Sequence, residues 1–186
     1  MIAQGTQVDI LINNAGFGLF GEFEQTKLSK ELDMIQVNIT VLTELSKYFG
    51  KEMVNRKRGQ ILNVASTAAF QPGPLMAVYY ATKAYVHSFS EALANEWASH
   101  GVKVTALCPG ATQTGFSDAA DLQSSKLFQS GVMSVEEVVE EGYNHMMTKN
   151  KTVIFPGFKY RLLTQSVRFM PRKMVTNIVR KVQERV

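Results

Sequence analysis

Val8-Asp9-Ile10-Leu11-Ile12-Asn13-Asn14-Ala15-Gly16 begins as a short apolar run and stops at turn-forming residues. A run of this kind without alternation fits a strand covered on both faces, as in a parallel sheet. Gly16, Gly18 and Gly21 then allow sharp turns and a close approach of backbone to a ligand. Downstream, Leu32, Ile35, Ile39, Leu42, Leu45 and Phe49 recur at helical spacing, so a helix is expected from about Ser29 to Met53. Gln60–Ala65 reads as the next strand, ending at Ser66. Two prolines and a glycine make Phe70–Met76 a loop. A second long helix follows from Ala77 to about Ser99, with Gly101 as its stop. Val102–Cys108 is a third strand, closed by Pro109-Gly110.

Strand, helix, strand, helix, strand in this order requires crossover connections, hence a parallel sheet and an α/β fold. Ligands of such sheets bind beyond the carboxyl ends of the strands. Asn14, Ser66 and Pro109 all fall there.

Composition narrows the class. The chain has 186 residues, 45% hydrophobic and 19% charged, enough for one globular domain with a sizeable core. Cys108 is the only cysteine, which excludes an internal disulfide framework and fits a reducing, cytoplasmic compartment. His87, His100 and His145 lie far apart and no Cys-x-x-Cys occurs, so no metal site is expected. Residues 1–7 lack a signal-peptide pattern, and no run of 18 apolar residues is present.

Within the second helix, Tyr79 and Lys83 are four residues apart and share a face. A phenol titrates near about 10 in water, and an ammonium one turn away favours the phenolate. Tyr79 is therefore a candidate general acid and base. Asn38, inside the first helical pattern, is expected to hold a water or a backbone carbonyl beside the site; a local hydrogen bond or one to solvent is the simpler alternative.

Asn13-Asn14-Ala15-Gly16, Asn38, Ser66, Tyr79-x-x-x-Lys83 and Pro109-Gly110-x-x-x-Thr114 together resemble the motif series of the short-chain dehydrogenase/reductase family, in the family's order and with its Ser-to-Tyr spacing. The resemblance covers about Val8 to Thr114 and selects Tyr79 over Tyr80, because Tyr79 is four before Lys83. It implies a Rossmann-like, doubly wound parallel sheet and interconversion of a carbonyl and a secondary alcohol with NAD or NADP, NADP being favoured by the resemblance alone. Tyr79 would exchange the proton. Ser66 would hydrogen-bond the same oxygen, Lys83 would lower the Tyr79 pKa and hold the nicotinamide ribose, and Asn38 would fix a relay water. Asn13, Ala15 and Gly16 would line the adenosine side of the cofactor; Pro109, Gly110, Thr112 and Thr114 would hold its nicotinamide end. The family more often has Ile or Val where Thr112 stands. A small-molecule partner and a homo-oligomer of the complete protein are also implied.

The family's glycine-rich phosphate loop does not occur in this chain. The expectation is therefore an N-terminally truncated domain beginning at the family's fourth strand, with Met1 in the helix before it and an open edge at Val8–Asn13. Residues 1–186 would form one partial domain, with 1–114 as core and 115–186 as substrate lid, last strand and basic helices. A truncated chain of this kind would bind dinucleotide poorly, and a non-catalytic remnant acting as an interaction module is the alternative.

The remaining third is less patterned. Gly115–Gly131 resembles the family's lid, Ser134-Val135-Glu136-Glu137 is a capping box opening a helix to about Thr148, and Lys151–Phe155 reads as a last strand. Two amphipathic helices broken at Pro171 end the chain. Net charge is +4 overall; nine basic residues against Glu184 give the tail from Lys151 onward +8 and the rest −4. Packing over the pocket or a partner subunit is expected of this tail, with a peripheral membrane contact as the alternative; nucleic-acid binding is not expected, since no module or stacking aromatics accompany it. Phe17, Phe20, Phe70, Leu75, Met76, Tyr80 and Phe116 are candidates to line an apolar pocket.

Overall fold

The computed structural model describes residues 7–120, 122, 126, 132–148 and 151–184. Four strands, β1 (Ile10–Asn13), β2 (Gly59–Val64), β3 (Val102–Leu107) and β4 (Val153–Ile154), form one sheet in the order β1-β2-β3-β4. Every neighbouring pair is parallel. The last strand is shorter than the expected Lys151–Phe155.

Helices lie on both faces, as a doubly wound sheet requires. On one face, Ile61, Val102 and Val104 pack against Met53 and Phe49 of α2 (Leu42–Asn55) and Leu93 of α3 (Ala77–Ala98). On the other, Leu62, Leu107 and Ile154 pack under Val138 and Met146 of helix α5 (Val135–Thr148). That second cluster draws on β2, β3 and β4 but not on β1. Consequently Ile10 and Ile12 are 40% and 52% exposed, and the expectation of a strand covered on both faces fails at β1. Among the described residues β1 is one edge of the sheet and β4 the other. The expected helix at Met1 lies outside the described residues.

The helix anticipated over Ser29–Met53 is interrupted. Helix α1 (Leu28–Ile35) runs through a π-helical turn, Gln36–Val41, into α2. A π turn inserts one extra residue and rotates the phase of everything after it. The buried row is Met34, Asn38, Leu42, Ser46 and Gly50, whereas Leu32 and Leu45 of the apolar stripe face solvent. Small residues win this face because the helices come close: a Cβ on Gly50 would meet the Trp97 ring at 2.4 Å.

Other local expectations hold. Gly101 adopts φ +70, where an added Cβ would lie 2.4 Å from the Lys57 carbonyl oxygen. Ser134 and Glu137 cap α5 reciprocally: the Ser134 hydroxyl accepts from the Glu137 N–H at 3.1 Å, and the Ser134 N–H donates to the Glu137 carboxylate at 3.3 Å. Pro171 separates α6 (Phe158–Ser166) and its trailing 3-10 turn (Val167–Phe169) from α7 (Arg172–Gln183). Of the lid region, a short helix α4 (Phe116–Ala119) and the buried Leu122 are described; Leu127, Phe128 and Gly131 lie outside the described residues.

Candidate active site

The ends of β1, β2 and β3 open onto one cavity of about 790 Å³. Asn14, Gly16, Ser66, Tyr79, Lys83, Pro109, Gly110, Thr112 and Thr114 all line it, and α6 and α7 close it from the far side. The rim is rigid because neighbouring strand ends are tied together beyond the sheet. The Ala65 N–H donates to the Leu107 carbonyl at 2.8 Å, and the Thr67 N–H to the Pro109 carbonyl at 2.9 Å. The loop after β3 is held in turn to Met133, whose N–H donates to the Ala111 carbonyl at 2.9 Å.

Ser66 is the N-cap of a 3-10 turn, Thr67–Phe70, and its hydroxyl accepts from the Ala68 N–H at 3.1 Å. The Tyr79 phenol is near enough to the same side chain for Ser66 to oppose the rise in its pKa. One turn along α3, Lys83 is 6% exposed and donates to the Val64 carbonyl at 2.7 Å. Its ammonium lies 5.9 Å from the centre of the Tyr79 ring.

Asn38 sits behind this group, 1% exposed and outside the cavity lining. Its amide oxygen accepts from the Phe17 N–H at 3.1 Å, and its nitrogen donates to the Phe17 carbonyl at 3.0 Å and to the Thr82 hydroxyl at 3.1 Å. Thr82 in turn donates to the Tyr79 carbonyl at 2.7 Å. The π turn thus aims one amide at two segments, clamping the loop after β1 to the helix that carries Tyr79. A backbone carbonyl held beside the site is what the sequence anticipated; the Thr82 link has no local sequence signal.

Burial sets the electrostatics. Tyr79 titrates above the ordinary phenol range because the surrounding apolar wall disfavours its charged form, with the Ser66 hydrogen bond opposing and Tyr80 adding to the rise. This corrects the expectation that Lys83 makes Tyr79 acidic: the ammonium stands over the ring, and loss of solvent outweighs it. Lys83 itself is pushed down to about 8 by burial, partly offset by the neighbouring Cys108 thiol. Burial holds Cys108 up at about 12 and Tyr80 up at about 12, the latter against its hydrogen bond from Gln183.

The structure does not bring every anticipated residue to the cavity. Asn13 faces the helices instead, because strand alternation puts it on the same side as Leu11. Its amide donates to Asn63 at 2.8 Å and to Ser46 at 3.1 Å, and Asn63 donates to Ser90 at 2.9 Å. Ala15 is exposed and is not part of the lining. Thr112 and Thr114 line the cavity while serving their own loop: Thr112 donates to the Gly110 carbonyl at 3.1 Å and Thr114 accepts from the Phe116 N–H at 3.1 Å. Phe17, Met76, Tyr80 and Phe116 form apolar wall as anticipated; Phe20, Phe70 and Leu75 do not. Phe70 packs against Phe155 and His87.

Two residues of the far wall carry no motif. Gln183 is 1% exposed and donates to the Tyr80 hydroxyl at 2.5 Å, while its amide oxygen is buried without a partner among the described residues. Tyr160 lies against Gly110 so closely that a Cβ there would meet its ring at 2.2 Å, which docks α6 on the rim.

The family model for short chain dehydrogenases matches residues 1–125. The chain belongs to this family. Among its relatives, 2-dehydro-3-deoxy-D-gluconate 5-dehydrogenase of Bacillus subtilis (strain 168) is 36% identical over 111 residues, which are 60% of this chain and 44% of that enzyme. 17-beta-hydroxysteroid dehydrogenase type 3 of Mus musculus is 34% identical over 113 residues, 60% of this chain and 37% of the mouse protein. A short-chain dehydrogenase from Sphingobium yanoikuyae, solved in complex with NADPH, superposes with a TM-score of 0.76 at 30% identity, covering 87% of this chain and 63% of that one. The chain thus matches less than half the length of both curated relatives, and this short-chain dehydrogenase shares its parallel sheet with the solved one.

Proposed function

We propose that this chain interconverts a carbonyl and a secondary alcohol on an apolar substrate, with Tyr79 as the group that exchanges the proton. The observation that carries the reading is the trio lining one cavity: the buried Tyr79 beside Ser66, with the Lys83 ammonium over its ring.

NAD or NADP supplies or accepts the hydride of such a reaction. The residues fit a hydroxyl-rich dinucleotide end. Lys83 lines the cavity and donates one of its three N–H groups to Val64, and Gly16 lines the same cavity beside the Lys83 nitrogen. Asn14, Gly16, Lys83, Pro109, Gly110, Thr112 and Thr114 would hold the group.

In reduction, the Tyr79 hydroxyl gives its proton to the substrate oxygen as that oxygen gains negative charge. Ser66 donates a hydrogen bond to the same atom, the oxyanion-hole role. The Tyr79 phenolate left behind is stabilised by the Lys83 ammonium, which is charged below about pH 8. Because burial holds Tyr79 protonated at neutral pH, the residue stands ready as a donor; oxidation needs its phenolate and is favoured by alkaline conditions. Asn38 acts by position, fixing the Phe17 backbone and α3 together.

The test is NADPH-dependent reduction of a panel of aryl and polycyclic ketones by the chain and its Tyr79→Phe variant. The expected loss in kcat is about 10²–10⁴-fold, the usual worth of a positioned acid, with an unchanged circular dichroism spectrum. Measurable turnover by the parent that the variant keeps in full would overturn the assignment. A second reading, a non-catalytic interaction module, is favoured by the apolar edge at Ile10 and Ile12; turnover that depends on Tyr79 removes it.

A further inference from the structure

The proton-transfer site leaves unexplained the corner where α6 meets α7. Residues 151–183 contain eight Lys or Arg and no Asp or Glu. On this corner Phe169 is 89% exposed and Phe158 71%. Along α7, Met174, Ile178 and Val182 follow at four-residue intervals and form an exposed apolar row, while Val175 and Gln183 on the neighbouring row are buried inward. Lys173 and Lys181 flank that row and share a shallow surface groove with Met174 and Ile178. The apolar row does not end at the surface, since Leu163, Ile178 and Val182 also line the large cavity.

We propose that this corner seats on the anionic face of a lipid bilayer, with Phe169 and the Met174 row in the interface and Arg172, Lys173 and Lys181 against the headgroups. An interfacial helix has this composition, with bases on one side and large apolar residues on the other. Each base near an anionic surface contributes about 1 kcal/mol. Charge selects the occupant. A second copy of the chain would set the same cations against each other, and the tail's one acid, Glu184, is already paired with Lys126. Arg180 is already paired with Glu22, so the argument does not use it. Docking stands on the surface alone. Entry of an amphiphilic substrate from the bilayer rests in addition on the reading of the cavity given above.

Flotation with phosphatidylcholine vesicles, and with vesicles in which phosphatidylglycerol replaces a third of the lipid, tests the docking on the full chain. Binding is expected to the anionic vesicles, at least about tenfold tighter than to the neutral ones and weakened in about 1 M salt, where the screening length falls to about 3 Å. Arg172→Gln with Lys173→Gln should weaken it about 25-fold, at about fivefold per charge. Phe169→Asp should abolish it with an unchanged circular dichroism spectrum, since that side chain is 89% exposed. Absence of binding to anionic vesicles, or equal binding by parent and Phe169→Asp, overturns the proposal. So does a dimer in equilibrium sedimentation that Phe169→Asp dissociates, or tighter binding to a short DNA duplex than to the vesicles. None of these outcomes depends on ketone turnover, so the docking can fail while the Tyr79 assignment survives, and the reverse.

Discussion

On the inner wall of the cavity, Ser66 and Lys83 are tied to backbone by hydrogen bonds, and Asn38 and Thr82 brace the turn that carries Tyr79 from behind. On the outer wall, α6 and α7 present Leu163, Ile178 and Val179, and Gln183 of α7 is hydrogen-bonded to Tyr80 of α3. The first wall is built from small polar groups whose partners are specified atom by atom. The second is mostly area, and apolar area tolerates rearrangement. A wall that must place one proton needs the former; one that must admit a greasy body can use the latter.

That contrast can be broken at the inner wall first. Lys83 releases its proton near pH 8 in the folded chain, whereas an unfolded chain holds it to about 10.5. Between those values the unfolded state binds more protons, so the Lys83 contribution to stability rises with pH, by on the order of 3 kcal/mol across the window. Cys108 and Tyr80, both held up at about 12, act in the opposite sense above their ordinary values. The quantity to measure is therefore the difference in urea stability between the parent and Lys83→Met as a function of pH. A difference that stays flat from about 8 to 10.5 would mean that Lys83 is solvated in the folded state.

Asn38→Ala is expected to cost about 2–3 kcal/mol, because the Phe17 N–H and carbonyl both lose their partner where water is scarce. Urea denaturation reads this directly, and a cost below about 0.5 kcal/mol would show that the clamp is not structural. The outer wall should respond least. Gln183→Leu removes a hydrogen bond but also a buried amide oxygen without a partner, so stability should move by less than about 1 kcal/mol. Adding Tyr80→Phe should then leave the chain at least as stable as the parent. A large loss at Gln183 would erase the distinction between the walls.

Much of the inner wall was legible beforehand, and the reason is distance along the chain. Tyr79 and Lys83 are one helical turn apart, Ser66 ends a strand, and Pro109-Gly110 ends another, so periodicity and turn chemistry place them without any knowledge of packing. Asn38 was recognisable as a polar interruption, but not the π turn beneath it, since the apolar residues around it fit an uninterrupted helix equally well. Asn13 shows the opposite failure: the resemblance implied a place for it along the cofactor, and strand alternation sent its side chain into the helix layer.

The alternation of strands and helices, and the parallel sheet it implies, follow from residues close enough in the chain for backbone geometry alone to relate them; the preference for Tyr79 over Tyr80 came from the family resemblance. The direction of the Tyr79 pKa, the Asn38 to Thr82 brace and the Gln183 to Tyr80 contact span up to 103 positions and depend on how closely helices approach. Burial and long-range hydrogen bonds are properties of the packed molecule, because desolvation depends on everything surrounding a group and not on its neighbours in sequence.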